Sequence, residues 1–198
     1  MRYQRHEAPV ITTDRLGAGD AIFLFQGLVS NKRAQPVVAE WFGVSVGRRH
    51  DGDDARIIPL AEVLERTGFA AGIENRGCDG VVVDAMSRHV TGAVEVGRRH
   101  MLDRRAQRGT ELGGPLREEL RRLEGWRRRA LEQIDAREAA YCEKGQLGPR
   151  TREGLERERH DIEKRWAETE RWVTMTLQTE ERPYVRLGAV FVGPGGPG

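Results

Sequence analysis

Residues 116–148 read LREELRRLEG WRRRALEQID AREAAYCEKG QLG. This is a charged stretch, typical of a helix, in which an apolar residue recurs at nearly every third or fourth position. The spacing alternates between four and three, which places these side chains on one side of a helix. This first limb therefore has an apolar seam interrupted by arginine. The seam residues are Leu116, Leu120, Leu123, Ala130, Ile134 and Tyr141, with Arg127 and Arg137 at the intervening positions.

A second limb follows the helix breaker at residues 145–149 and repeats the same spacing. Two such helices joined by a short turn pack antiparallel, so the sequence predicts an antiparallel coiled coil. A heptad pattern reports packing and not chemistry, and a structural spacer or a dimerisation arm would show the same pattern. The second seam consists of Leu155, Ile162, Trp166, Thr169, Val173 and Thr176, with Arg159 at one position.

Stretches rich in β-branched and aromatic residues lie on either side of the helices. Residues 21–29 and 37–46, with a polar turn between them, predict a β-hairpin, and Gly-Ala-Gly-Asp at residues 17–20 predicts a turn into its first strand. Residues 184–192 are too apolar to lie free on the surface, so we expect them to pair with the hairpin. A short helix is predicted from residue 60 to 66, opened by Pro59 and ended by Gly68.

The predicted fold is α+β: a small antiparallel β-sheet, made of the N-terminal hairpin and the C-terminal strand, with long helices that form an antiparallel helical hairpin. Gly113, Gly114 and Pro115 predict a break on the path into that hairpin. The predicted segments are a hairpin-containing body with the short helix at residues 1–83, the long helices at 84–181, a closing strand at 182–193 and a flexible tail at 194–198.

Composition excludes several classes of protein. No apolar run reaches bilayer length and the N-terminus lacks a secretory apolar core, so we expect a cytoplasmic protein without a membrane partner. Cys78 and Cys142 form neither a disulfide framework nor a metal-type pair, and the five histidines lack metal-ligand spacing. No nucleotide-binding loop or catalytic constellation is present. We therefore expect no metal, no cofactor and no catalysis by this chain.

Arginine is concentrated in the helices. The net charge is only +2, but residues 84–178 carry 21 Lys and Arg against 18 Asp and Glu. Clustered arginines can neutralise phosphates without reading sequence, although a solvated helix face has the same composition. Trp126 could either stack on a base or pack within the protein, whereas Trp166 lies on the seam and is expected to pack between the helices. The candidate nucleic-acid-binding residues are Arg98, Arg99, Arg104, Arg105 and Arg108 in one cluster, and Arg121, Arg122, Arg128 and Arg129 in another.

The order of elements, together with residues 22–25, 35–44 and 186–192, resembles the C-terminal accessory region of bacterial Snf-family DNA helicases, including those of phage-defence systems. The resemblance covers most of residues 18–193. It implies a module beside an ATP-driven motor that contacts duplex DNA or a partner subunit. This chain departs from a full helicase because it lacks every motor motif.

Two functional hypotheses follow. In the first, the chain is a non-catalytic accessory domain whose arginine clusters hold nucleic-acid backbone, DNA or RNA, or position a helicase motor on it. In the second, it is a protein-interaction or homo-oligomerisation module without nucleic-acid binding. The second is motivated by Arg127, Arg137 and Arg159, which interrupt the seams and would suit acidic side chains of another chain.

Overall fold

The structure, a computed structural model, describes residues 8–47, 55–72 and 80–194, with the backbone alone for residues 80–86. The α+β class is confirmed. The elements, in chain order, are β1 (Val10–Thr12), β2 (Ala21–Ser30), β3 (Pro36–Val46), β4 (Arg56–Pro59), α1 (Leu60–Thr67), a 3-10 turn (Phe69–Ala71), α2 (Gly80–Glu143), α3 (Pro149–Leu177) and β5 (Tyr184–Val192).

The sheet has five strands in the order β1-β5-β2-β3-β4. The predicted hairpin is β2 with β3, and β5 pairs antiparallel with β2 as expected. The sheet is mixed and not purely antiparallel, because β1 runs parallel to β5. The two edge strands, β1 and β4, were not among the elements predicted from the sequence. They are three and four residues long, too short to show an alternating pattern of their own.

The central strand β2 is buried on both faces. One face packs Phe23 and Phe25 against Ala93 and Met101 of α2, while the other packs Ile22 against residues that include Val63 of α1. Gly27 of β2 allows Met101 of α2 to pack close to the strand, since a Cβ at position 27 would lie 2.3 Å from Sδ of Met101. A strand glycine at such a point marks a close approach of another element.

Both predicted ends of the short helix are present. Pro59 precedes α1, and Gly68 ends it in the left-handed conformation, with its N–H donating to the carbonyl of Leu64. The turn before β2 is also confirmed, with the N–H of Asp20 donating to the carbonyl of Gly17 at 3.0 Å.

The predicted break at residues 113–115 is wrong. Helix α2 continues through Pro115 without interruption. Proline removes one backbone donor and crowds the preceding turn, but Pro115 is exposed, so water can reach the carbonyl that lacks its partner. The apolar periodicity on both sides of the proline favours continuation of the helix.

The chain divides into two compact units. The first contains the sheet, α1 and α2 as far as Gln107, and the second contains residues 31–35, the rest of α2 from Arg108, and α3. The boundary between the units therefore falls inside α2, whereas the sequence analysis placed one boundary at the start of this helix, at residues 83 and 84. The residues that the prediction assigned to the tail lie outside the described range after Pro194.

The second unit contains the predicted helical hairpin. Ile134, Leu155 and Val173 are buried along the seams, while Tyr141 and Thr169, which the spacing also placed there, are exposed. The ion pairs Arg127–Glu163 and Arg137–Glu158 show that α3 returns antiparallel to α2, because the later residue on α2 contacts the earlier residue on α3. The turn between the helices contains Gly145 at a φ of 67°, a conformation that favours glycine.

Residues 31–35 form a tight turn held against the end of α3. The side chain of Asn31 is buried, and its amide nitrogen donates to the carbonyl of Thr176 at 3.0 Å. Its amide oxygen accepts from the backbone N–H groups of Arg33 and Gln35, each at 3.0 Å. The guanidinium of Arg33 lies 5.5 Å from the ring centre of Trp172. The side chain of Asn31 therefore binds two backbone N–H groups of the turn and joins the turn to α3.

Ala34→Gly in this turn should stabilise the protein. Ala34 has a φ of 59°, the one positive value for a residue other than glycine in the described ranges. Glycine adopts this conformation without steric cost, so we expect a gain of about 0.5–1 kcal/mol in the free energy of unfolding, measured by urea denaturation. Ala136→Gly, the same chemical change on an exposed turn of α2, should instead cost about 1 kcal/mol. Equal effects of the two changes would contradict the prediction.

Within the described residues, no helix is both long and apolar enough to cross a membrane.

Candidate nucleic-acid interface

The first predicted cluster is largely engaged in contacts within the protein. Arg104 pairs with Glu40 at 3.2 Å, and Glu40 also contacts Nε2 of His100 at 2.7 Å. Nε of Arg105 donates to the carbonyl of Glu180 at 2.8 Å, and Arg108 pairs with its helix neighbour Glu111 at 2.9 Å. The guanidinium groups of these arginines already have hydrogen-bond partners in their own units, so fewer of their N–H groups are available to a phosphate.

Arg98 and Arg99 complete the first cluster and differ from its other members. Both are exposed, and neither forms an ion pair with another residue in the described part of the chain. Two adjacent helical residues point about 100° apart, so these two side chains leave α2 in different directions. Arg98 and Arg99 therefore stay candidates, whereas the other arginines of the first cluster already have partners within the protein.

The second cluster lies on the helical hairpin and is accessible. Arg121 and Arg129 are exposed and form no ion pair with any residue that the structure describes. Arg122 pairs with Glu119 and Arg128 with Glu132, at 2.8 and 3.9 Å, but their side chains are 74% and 73% exposed. Exposed pairs of this kind contribute about 0–1 kcal/mol, so a phosphate can compete for the same guanidinium groups.

The seam arginines have a different role. Arg127 makes a two-bonded contact with Glu163, both bonds at 2.8 Å, and Arg137 pairs with Glu158 at 2.7 Å. In each case the hydrogen bond to the glutamate raises the pKa of the guanidinium above its ordinary value, against the opposing effect of burial. Each guanidinium therefore stays charged and joins one helix to the other.

Arg159 completes this set. It bonds to Glu138 and to Asp135, the latter at 2.7 Å, and its pKa is raised mainly by the bond to Glu138. The acidic partners that the sequence analysis expected on another chain are thus supplied by the same hairpin. The seam arginines, which motivated the oligomerisation hypothesis, therefore have their acidic partners within one copy of the chain.

A groove lies between α2 and α3 on one side of the hairpin. Its volume is about 530 Å³, and Trp126 on its wall is 39% exposed. Three arginines and a single carboxylate contribute to the lining, so its charge is positive. The lining residues are Arg122, Leu123, Trp126, Arg129, Arg165, Glu168 and Thr169.

The groove brings together two predicted residues and one that was missed. Arg122 and Arg129 belong to the predicted second cluster, whereas Arg165 comes from α3 and was not a candidate. Arg121 and Arg128 are exposed but do not line the groove. A signal for Arg165 was present, because a hairpin that turns near Gln146 and Leu147 places the region of Arg165 opposite Trp126.

Trp166 packs on the seam, as predicted. The guanidinium of Arg127 lies 4.5 Å from its ring centre, a distance typical of a cation–π contact. The two tryptophans near the middle of the hairpin therefore differ in environment: Trp166 is covered by the arginine of a seam ion pair, and Trp126 borders the open groove.

The described residues contain no group of three or more His, Cys, Asp or Glu side chains that could hold a metal ion. The groove accordingly offers cationic and aromatic groups as its means of binding. No protein-family model matches the chain, and no curated protein or solved structure matches it either.

Proposed function

We propose that this protein is a non-catalytic nucleic-acid-binding module that holds the phosphate backbone in the groove of its helical hairpin. The observation that carries the proposal is the convergence of Arg122, Arg129 and Arg165 on one groove with a single carboxylate, Glu168. Guanidinium groups bind phosphate oxygens in a bidentate manner and keep their charge at all physiological pH values.

The spacing of the arginines suits a chain of phosphates. Arg122 and Arg129 are seven residues apart, which is two helical turns or about 10 Å along the axis. The two guanidinium groups are therefore far enough apart to bind different phosphates of one strand. Arg165 approaches from the other helix and can reach the same stretch of backbone.

The wider role suggested by the sequence resemblance is part of the same proposal. A backbone-binding module without motor motifs is suited to hold nucleic acid beside the motor of a Snf-family helicase. The oligomerisation alternative has less support, because Arg127, Arg137 and Arg159 already have acidic partners in the hairpin.

The test is fluorescence anisotropy of the purified chain with labelled duplex and single-stranded 20-mers at several salt concentrations. Replacing Arg122, Arg129 and Arg165 together with Ala should weaken binding and flatten its salt dependence, by about one unit of slope for each phosphate that the variant no longer binds. The matched control replaces Arg117, Arg152 and Arg171, which are exposed and lie outside the groove lining, and changes the net charge equally.

The control triple variant should bind almost as well as the wild type. Equally weakened binding in the two triple variants would mean that net charge drives binding, and the groove would not be the site. If the wild type bound neither ligand at low salt, the proposed function itself would be wrong.

A further inference from the structure

The position of Trp126 is not explained by the packing of the hairpin. It lies one helical position before Arg127, whose guanidinium makes the seam ion pair with Glu163, so Trp126 itself points to the side of the seam. Trp126 is 39% exposed, and it shares the groove with three guanidinium groups. A flat group of a ligand that covers the exposed part of the indole removes apolar surface from water, which favours binding.

We propose that the groove selects single-stranded nucleic acid, with an unpaired base stacked on Trp126 and the flanking phosphates bound by Arg122, Arg129 and Arg165. This inference rests on the proposed backbone binding and adds the class of nucleic acid to it. The bases of a duplex are covered on both faces by their neighbours, so an indole on the groove wall can stack only on a base that has left the helix or was never paired.

The dimensions and chemistry of the groove agree with this ligand. A volume of about 530 Å³ lies within the range of about 300–1,000 Å³ that is typical of small-molecule sites, which is enough for a base with its sugar. Leu123 extends the apolar wall beside Trp126, whereas Thr169 and Glu168 supply a hydroxyl group and a hydrogen-bond acceptor. An anionic ligand with one flat aromatic group matches this combination better than an acidic peptide, which would leave the indole uncovered.

The test compares three ligands of equal length: a dT 20-mer, an abasic 20-mer with the same phosphates, and a blunt-ended duplex. Trp126→Leu keeps an apolar side chain but removes the stacking surface, and Trp126→Phe keeps an aromatic ring. The wild type should prefer the dT 20-mer to the abasic one. Stacking on a single aromatic side chain corresponds to about a 5- to 150-fold change in affinity. Trp126→Leu should lose that preference, and Trp126→Phe should retain much of it.

The outcomes separate this inference from the proposed function. A fall in dT binding to the level of the abasic 20-mer in Trp126→Leu, with abasic and duplex binding unchanged, supports stacking. Unchanged dT binding in Trp126→Leu, together with loss in the arginine triple variant, overturns stacking and leaves backbone binding intact. Loss of all binding in the arginine variant, with no preference for dT in the wild type, supports backbone binding alone and also overturns stacking.

A second measurement uses the wild-type chain, so it does not depend on the folding of a variant. Ultraviolet crosslinking of the dT 20-mer, followed by mass spectrometry of the proteolysed complex, should place the crosslink on the peptide that contains Trp126. The exposed Trp172, which lies outside the groove, provides the internal comparison. A crosslink confined to Trp172 or to the sheet-containing unit would overturn the inference.

Discussion

Replacing Phe191 with Ala should lower the free energy of unfolding by about 3–5 kcal/mol, the range measured for buried Phe-to-Ala changes. Phe191 is 0% exposed on β5, where it lies opposite Ile22 of the central strand. Its ring also meets the ring of Phe69 edge-on, with centroids 5.5 Å apart. Removing it leaves a cavity between the sheet and the segment after α1, because strands paired on both sides cannot move in to fill the space.

Urea denaturation followed by circular dichroism checks this prediction. Tyr184→Ala is the matched control, since Tyr184 is an aromatic residue of the same strand that is 56% exposed. Tyr184→Ala should lower the free energy of unfolding much less than Phe191→Ala does. Similar destabilisation of the two variants would show that the strand, and not the buried ring, determines the effect.

Replacing Gly43 with Val should destabilise the protein by about 1–3 kcal/mol through overpacking. A Cβ at this position of β3 would lie 2.5 Å from Cγ2 of Val63 and 2.8 Å from Cγ1 of Ile58. Both neighbours are buried, and Val63 belongs to α1, which covers this face of the sheet. The added side chain therefore has to push the helix away from the sheet.

A compensating substitution makes the reason for this destabilisation testable. Val63→Ala removes the methyl group that lies nearest to the added side chain. Alone, it should lower the free energy of unfolding. In the Gly43→Val background, it should lower that free energy by less, or raise it. A double-mutant cycle measured by urea denaturation gives the coupling energy between the two sites, which we expect to be favourable. Simple additivity of the two effects would contradict the steric explanation.

Local sequence patterns predicted the main elements of both units. The four-and-three spacing of residues 116–141 and 155–176 identified the two helices and the turn between them, because a helix has one periodicity along its whole length. The β-branched and aromatic content of β2 and β3 and the apolar run of β5 identified the strands of the sheet centre. The short edge strands β1 and β4 were not predicted, because their pairing comes from neighbouring strands and not from their own residues.

The candidate site was predicted only in part. The composition of α2 pointed to Arg122 and Arg129, but the same reasoning included Arg104 and Arg105, which bond to Glu40 and to the carbonyl of Glu180. Those partners are more than 60 residues away in sequence, and no local pattern signals them. Likewise, Arg165 became part of the groove only through the return of α3.

Local amino-acid patterns determined the two limbs of the helical hairpin and the three central strands of the sheet, because the composition and periodicity that favour each element are set by nearby residues. Which arginines are bound to carboxylates and which line a groove depends on the tertiary structure. The physical reason is that an ion pair between the helices, or a groove between them, requires side chains that a second element brings within about 4 Å. Arg127 and Arg129 illustrate the difference: they are two residues apart, yet one joins the helices through Glu163 and the other lines the groove beside Trp126.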